Sequence, residues 1–331
     1  EGELLRAKGR VERETNAISF DELAFAPTEK TVWRSKDQTR VTIDEDGFSG
    51  LNARFTSNAG ALLAVGGVGE NRVLRVIVEG VDLGGIGEID AGWGLKGGRL
   101  NGGVTLRKRG QALVGDANLM VDQLILDSLL NPVDIVGKIS LDEDAILVHA
   151  DVNDRVGELG ELRATVPVLQ EEEAFNMELN EAVSASIYVF PSAVSRLVTV
   201  APDAPVATWK ASGEMVVSGL LGDPKVSLNM VSAGDVPGWA NGGRVELSAV
   251  TSGRTTSVKM DAFKGFNPRV RLSGTLQNRL DEMMTSVLNG NESYDDVVSY
   301  FANDLDLNIT VENAPVKDVA MFTGLDVSLA G

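Results

Sequence analysis

The chain has 331 residues, and its 48 Asp and Glu residues against 30 Lys and Arg residues give a formal net charge of −18. With no Cys and a single His, it has no thiol nucleophile, disulfide, iron–sulfur cluster, Cys-ligated zinc or multi-histidine metal site. The acidic composition disfavours contact with a phosphate backbone, so no nucleic-acid partner is expected.

Alternation of apolar and polar residues recurs along the chain, and this period of two is typical of a strand with one buried face. It is most regular in residues 304–312, where every odd position is apolar. The other alternating runs are residues 41–43, 146–152, 162–168, 226–230, 245–249 and 270–276. The sequence therefore predicts an all-β fold: an elongated, mostly antiparallel and curved sheet that forms a groove, with a few short helices.

Glycine-containing turn sequences separate these runs, as expected for strands joined by tight hairpins. We expect residues 1–331 to form one continuous, repetitive β segment of a longer chain. The predicted turns are Asp46-Gly47, Asn101-Gly102-Gly103, Gly222-Asp223-Pro224, Asn241-Gly242-Gly243 and Asn267-Pro268.

One stretch, residues 276–303, has helical rather than strand periodicity. Apolar residues from Leu276 to Leu288 recur at helical spacing, and a second short amphipathic helix is predicted over Tyr294–Phe301. These helices could cap or gate a groove, or could be ordinary packing helices.

The sequence contains several short patterns that resemble chemical sites, and none specifies one. Residues 92–97 fit the GxGxxG spacing but run into a predicted hairpin instead of a helix, which disfavours dinucleotide binding. Residues 66–73 resemble one calcium-binding nonapeptide without acidic neighbouring copies, so a turn or bulge is favoured. His149 falls on the polar side of its strand, and the carboxylates at 142–144 are expected by chance in so acidic a chain. We therefore expect no enzymatic activity, no catalytic residues, no cofactor and no metal.

The predicted sheet has a continuous apolar face built from Val, Leu, Ile, Ala and Met, and aromatic residues make up only 5% of the chain. Such a face either closes into a filled core or curls into a trough that holds an apolar ligand, and the sequence leaves both open. The low aromatic content and many glycines favour the trough. The residues predicted to line it are Val226, Leu228, Met230, Val245, Leu247, Leu305, Leu307, Ile309 and Val311.

Several glycine- and proline-punctuated strings resemble the TamB family, the inner-membrane component of the translocation and assembly module, which belongs with the AsmA-like bridge proteins. The resemblance extends over most of the chain as a pattern of Gly, Pro and aliphatic residues. The strings that carry it are residues 162–168, Leu100–Leu106, Ser218–Leu228, Leu272–Leu276 and Phe322–Gly331.

The resemblance implies a β-taco, a sheet bent lengthwise around an aliphatic groove in the periplasm of a Gram-negative bacterium. It implies transport of phospholipids between the inner and outer membranes, support of outer-membrane protein assembly, or both. The implied partners are phospholipid acyl chains and, through parts outside this fragment, an Omp85-type outer-membrane protein. The full-length protein would be anchored in the inner membrane, and this sequence would be an internal fragment of it.

Two functions of other classes stay open. A secreted β-solenoid adhesin or carbohydrate-binding structural protein would need exposed aromatic residues, and Trp93 and Trp239 are the candidates. An enzyme would need a carboxylate pair within a polar cleft, roughly 5–10 Å apart.

Overall fold

The computed structural model describes residues 4–26, 31–35, 37–87, 95–126, 131–171, 174–176, 180–193, 196, 209–235, 242–278 and 303–311. Within these ranges the predicted all-β fold is confirmed, and the strand pairs given below are all antiparallel. The chain divides into two compact units. Unit 1 is Glu1–Glu158 with Arg163–Met177, and unit 2 is Leu159–Leu162 with Glu178–Gly331.

The strands of unit 1 follow one another closely along the chain. They are β1 (Leu4–Glu12), β2 (Ala17–Ala26), β3 (Trp33–Ser35), β4 (Thr39–Asp44), β5 (Gly47–Ser57), β6 (Gly60–Val68), β7 (Val73–Asp82), β8 (Leu95–Arg109), β9 (Ala112–Leu126), β10 (Val133–Leu141), β11 (Ala145–Asp154), β13 (Leu169–Glu171) and β14 (Ala174–Asn176). The short helix α1 (Leu83–Gly87) follows β7, and strand β12 (Gly157–Pro167) has residues in both units.

Unit 1 is a meander in which strands pair with their neighbours in the chain. Strand β1 pairs with β2, and from β5 to β11 each strand pairs with the next. Strands β3 and β4 share one position in the sheet, because each of them pairs with both β2 and β5. Strands β13 and β14 form a separate hairpin.

Unit 2 repeats this arrangement. Its strands are β15 (Ala182–Ala193), β16 (Lys210–Leu220), β17 (Asp223–Gly234), β18 (Gly243–Ser252), β19 (Thr255–Lys264), β20 (Asn267–Gln277) and β21 (Asn303–Val311). Each strand from β15 to β20 pairs with the next one. The alternating runs predicted at 226–230, 245–249, 270–276 and 304–312 correspond to β17, β18, β20 and β21.

The turn predicted at Asn101-Gly102-Gly103 is wrong, because these residues lie in the middle of β8. Gly102 is needed there for a close approach: a Cβ on it would overlap the carbonyl oxygen of Asn118 and lie 2.9 Å from Leu119 Cδ2. The Asn101 side chain accepts a hydrogen bond from the Gly80 amide at 2.8 Å and donates one to Asp122 at 3.1 Å. A turn-type sequence is thus accommodated within a strand by its neighbours.

The helical segment predicted at 276–303 begins and ends at residues that are in strands, since β20 extends to Gln277 and β21 starts at Asn303. Residues 279–302 of that segment lie outside the described residues. In the part of the chain that the structure describes, no helix has the length and hydrophobicity needed to cross a membrane.

Candidate functional site

The register of unit 2 aligns apolar residues into continuous rows across its sheet. Directly opposite residues in antiparallel strands project from the same face, so one aligned row belongs to one face. The first row is Ile187, Met215, Leu228, Ala249, Val258, Gly274 and Leu307. The second is Val189, Gly213, Met230, Leu247, Met260, Leu272 and Ile309. We call the face that carries these rows the aliphatic face of unit 2, and neither row contains a charged residue.

The register brings the predicted lining residues together. Leu228, Met230 and Leu247 lie within the two rows, while Val226 and Val245 lie two residues beyond them on β17 and β18. Residues Leu305, Leu307, Ile309 and Val311 are register partners of Leu276, Gly274, Leu272 and Val270. The predicted residues therefore occupy positions of one face, although they come from three strands.

Burial varies across the aliphatic face of unit 2. Leu228, Met230, Leu247, Met260 and Leu272 are half-buried, which leaves the middle of the face within reach of a ligand.

The two margins of this face are buried instead. At one margin are Trp209, Ala211, Ala262 and Val270, which are at most 6% exposed. At the other, Thr251, Thr256 and Asn278 are buried, and the Asn278 amide donates a hydrogen bond to the Thr256 hydroxyl at 2.9 Å. The face thus has an accessible apolar centre between closed margins.

The opposite face of unit 2 is mainly polar. Aligned across it are Glu214, Asn229, Ser248, Lys259 and Ser273. In β20 the contrast is regular, because Arg271, Ser273 and Thr275 are exposed while the intervening Leu272 and Leu276 are half-buried. Two valines, at 231 and 250, are exposed exceptions on this face.

Unit 1 has an aliphatic face of the same kind. Its central row is Ala53, Ala64, Val76, Val104, Ala117, Ile139 and Val148, aligned from β5 to β11. The neighbouring row is Phe55, Leu62, Val78, Gly102, Leu119, Gly137 and Ala150. In β7 the residues of this face, Leu74, Val76 and Val78, are half-buried and alternate with exposed residues. We call this the aliphatic face of unit 1.

An aromatic cluster lies at one end of this face. The rings of Phe25 and Trp33 are stacked, with centroids 5.9 Å apart, and Phe55 meets Phe25 edge-on at 5.8 Å. Trp33 packs with Ala59 and Val81 in a buried core. This end of unit 1 therefore departs locally from the predicted composition of Val, Leu, Ile, Ala and Met.

Beside this cluster is a cavity of about 330 Å³. We call it the aromatic-end cavity, and its lining includes Phe25, Trp33, Leu62, Val78, Leu100 and Gly85. Thr31 and Asp82 are its polar lining residues. The Asp82 carboxylate accepts a hydrogen bond from the Gly84 amide at 3.0 Å. Since Leu62 and Val78 also belong to the neighbouring row of the aliphatic face, the cavity opens on that face.

Sequence reasoning missed this cavity. The available signal was two aromatic residues on either side of the turn-type residue Pro27, and the register pairs Phe25 with Trp33.

His149, the GxGxxG-like run and two tryptophans are the other sequence candidates. His149 pairs with Lys138 on the polar face of unit 1, and its Nε2 lies 3.5 Å from an Asp151 oxygen at the surface. Of the GxGxxG-like residues, 95–97 belong to β8, which is a strand and not a helix, and 92–94 lie outside the described ranges. Trp93 and Trp239 lie outside them too.

The clearest electrostatic feature of unit 1 joins two turns. Arg72 donates to both carboxylate oxygens of Asp44, with Nη1 at 2.9 Å from Oδ1. This hydrogen bonding holds the pKa of the Asp44 carboxyl below its ordinary value of 3.8 and raises the pKa of Arg72. The pair links the β4–β5 turn to the β6–β7 turn, which makes its role structural.

No known family model, curated protein or solved structure matches this chain.

Proposed function

We propose that the chain is a non-enzymatic segment that carries phospholipid acyl chains along its aliphatic faces. In this proposal it belongs to a TamB-like bridge between the inner and outer membranes and works in the periplasm. The observation that supports it is the alignment of the predicted lining residues on one face, whose central rows are uncharged and whose central residues on strands β17 to β20 are half-buried.

The energetics of lipid transfer favour such a face. Each methylene group removed from water contributes about 0.8 kcal/mol, so moving an unshielded acyl chain through water is costly. A continuous aliphatic surface keeps the chain out of water along its path.

Movement along the face also needs a nearly uniform binding energy. Side chains such as Leu228, Met230 and Leu247 offer similar dispersion contacts, and no buried charge or hydrogen-bonding group on the two rows would hold a lipid at one place. Polar groups of this face lie outside the two rows, with Thr251, Thr256 and Asn278 at one margin and Ser232 opposite Ala211 and Val245 toward the other.

Site-specific photocrosslinking tests this proposal. A photoreactive amino acid replaces Leu228, and the purified protein is incubated with phospholipid vesicles and irradiated. The matched control replaces Asn229, the adjacent residue, which is exposed on the polar face of the same strand. We expect phospholipid adducts, read by mass spectrometry, at least fivefold more abundant from position 228. Equal adduct yields from the two positions would overturn the proposal.

A further inference from the structure

The aromatic-end cavity differs in kind from the rest of the aliphatic faces. The central rows offer an open surface of similar side chains, whereas the cavity is bounded on one side by stacked rings and on another by Gly85 of α1. Bounded apolar sites bind a ligand at one place, since contacts surround it instead of lining one side.

The dimensions and chemistry of the cavity restrict its occupant. Its volume of about 330 Å³ is at the small end of ligand sites. A water molecule occupies roughly 30 Å³ in the liquid, so the cavity has room for about ten groups of that size. This is the size of part of one hydrocarbon chain and is too small for a whole phospholipid.

The polar residues of the cavity are few. Asp82 is exposed and already accepts the Gly84 amide, and the buried Thr31 also has a partner. An anionic head group beside Asp82 would be repelled, whereas the hydrocarbon end of a zwitterionic lipid needs no polar contact there.

We propose that the aromatic-end cavity is a discrete, saturable site for the end of a single acyl chain of a lipid whose remainder lies on the aliphatic face of unit 1. This inference deepens the proposed function and relies on it for the source of the lipid. The continuity of Leu62 and Val78 between cavity and face supports it, because a chain on the face can enter without crossing water.

The structure offers a substitution that fills the cavity. A Cβ on Gly85 would have Thr31 Oγ1 at 3.5 Å as its nearest neighbour, which is ordinary contact, so Gly85→Leu places its side chain into free space. Val78→Phe fills the cavity from the side of the sheet, and it is the variant to measure if Gly85→Leu does not fold. Gly103→Leu is the matched control, because Gly103 lies on the polar face of β8 with its nearest neighbour 3.8 Å away.

Quenching of tryptophan fluorescence reads occupancy directly, since Trp33 lines the cavity. The probe is lysophosphatidylcholine with a dibrominated stearoyl chain, titrated below its micelle concentration into the purified chain. The measurement uses a variant in which the other three tryptophans, Trp93, Trp209 and Trp239, are replaced by Phe, so that Trp33 alone fluoresces. We expect saturable quenching of Trp33 at one probe per chain. Gly85→Leu or Val78→Phe should weaken binding at least tenfold, and Gly103→Leu should leave it unchanged.

Quenching that does not saturate, or that is equal in the filled-cavity variants and the wild type, would overturn this inference. The result is separable from the crosslinking test at Leu228. Adducts at 228 without saturable Trp33 quenching would refute the cavity site alone. Saturable quenching without adducts at 228 would refute lipid carriage along the aliphatic face of unit 2 and leave the cavity of unit 1 as an isolated site.

Discussion

Met230 and Leu247 lie directly opposite each other in the adjacent strands β17 and β18, and both are half-buried on the aliphatic face of unit 2. Opposite residues in antiparallel strands have Cβ atoms about 5 Å apart, so the pair forms a continuous apolar contact across the strand boundary. A ligand lying across these strands would touch both side chains.

A charge introduced into this pair should abolish acyl-chain binding. Leu247→Asp would place a carboxylate in the centre of the row, where an acyl chain could not solvate it. We expect the phospholipid crosslinks at position 228 to fall at least fivefold. The control, Ser248→Asp, adds the same charge on the polar face of the same strand and should leave the crosslinks unchanged. Equal losses in both variants would show that an added negative charge reduces the crosslinks whichever face carries it, and would contradict lipid binding on the aliphatic face.

Adjacent glycines in β8 should respond differently to the same substitution. Gly102→Ala would force a Cβ against the Asn118 carbonyl and Leu119, which should destabilise unit 1 by about 1–3 kcal/mol. Gly103→Ala has room, with its nearest neighbour at 3.8 Å, and should change stability by less than about 1 kcal/mol. Urea unfolding of the two variants makes the comparison, and similar midpoints would contradict the strand register described for β8 and β9.

The Asp44–Arg72 pair should make stability depend on pH in the acid range. The Arg72 hydrogen bond lowers the pKa of Asp44 in the folded protein below 3.8, so the unfolded chain takes up the proton first as the pH falls. The stabilisation from this carboxylate is therefore present above pH 3.8 and is lost as the pH falls through the folded pKa.

The measurement is the thermal midpoint of the wild type and of Asp44→Asn at pH 7 and at successively lower pH. The wild type should be more stable at pH 7, and the difference should disappear in acid. Because both side chains are partly exposed, it should also shrink at high salt. A difference that is constant from pH 7 to pH 2 would be inconsistent with a role for the ionised carboxylate.

The aromatic cluster should contribute strongly to the stability of unit 1. Trp33 is 5% exposed and stacks on Phe25, so Trp33→Ala should destabilise the unit by about 3–5 kcal/mol. Phe266 is 83% exposed, and Phe266→Ala should change stability by no more than about 0.5 kcal/mol. Chemical denaturation followed by circular dichroism distinguishes the two, and a small loss for Trp33→Ala would mean that the cluster does not form.

Residues 304–312 illustrate what the sequence alone can predict. Their strict alternation identifies a strand and divides its residues between two faces, and β21 covers Asn303–Val311. The same period identifies β17, β18 and β20, so the composition of the aliphatic face follows from local pattern.

The register cannot be obtained in this way, because it depends on which residues of separate strands are opposite each other. The mid-strand position of Asn101-Gly102-Gly103 was missed for a related reason. A turn-type sequence is tolerated there because Asn118, Asp122 and Gly80 come close in space. The pairing of Phe25 with Trp33, and hence the cavity, likewise depends on tertiary contacts that period-two patterning does not record.

The meander of unit 2 has a consequence for how such a protein could evolve. From β15 to β20 each strand pairs with the one that follows it, so a duplicated hairpin inserted at a turn would disturb no other pairing. Each such insertion would add two strand spacings, about 9–10 Å, to the sheet. A lineage could thereby change the width of this sheet by changing the number of hairpins, while leaving the composition of each strand unaltered.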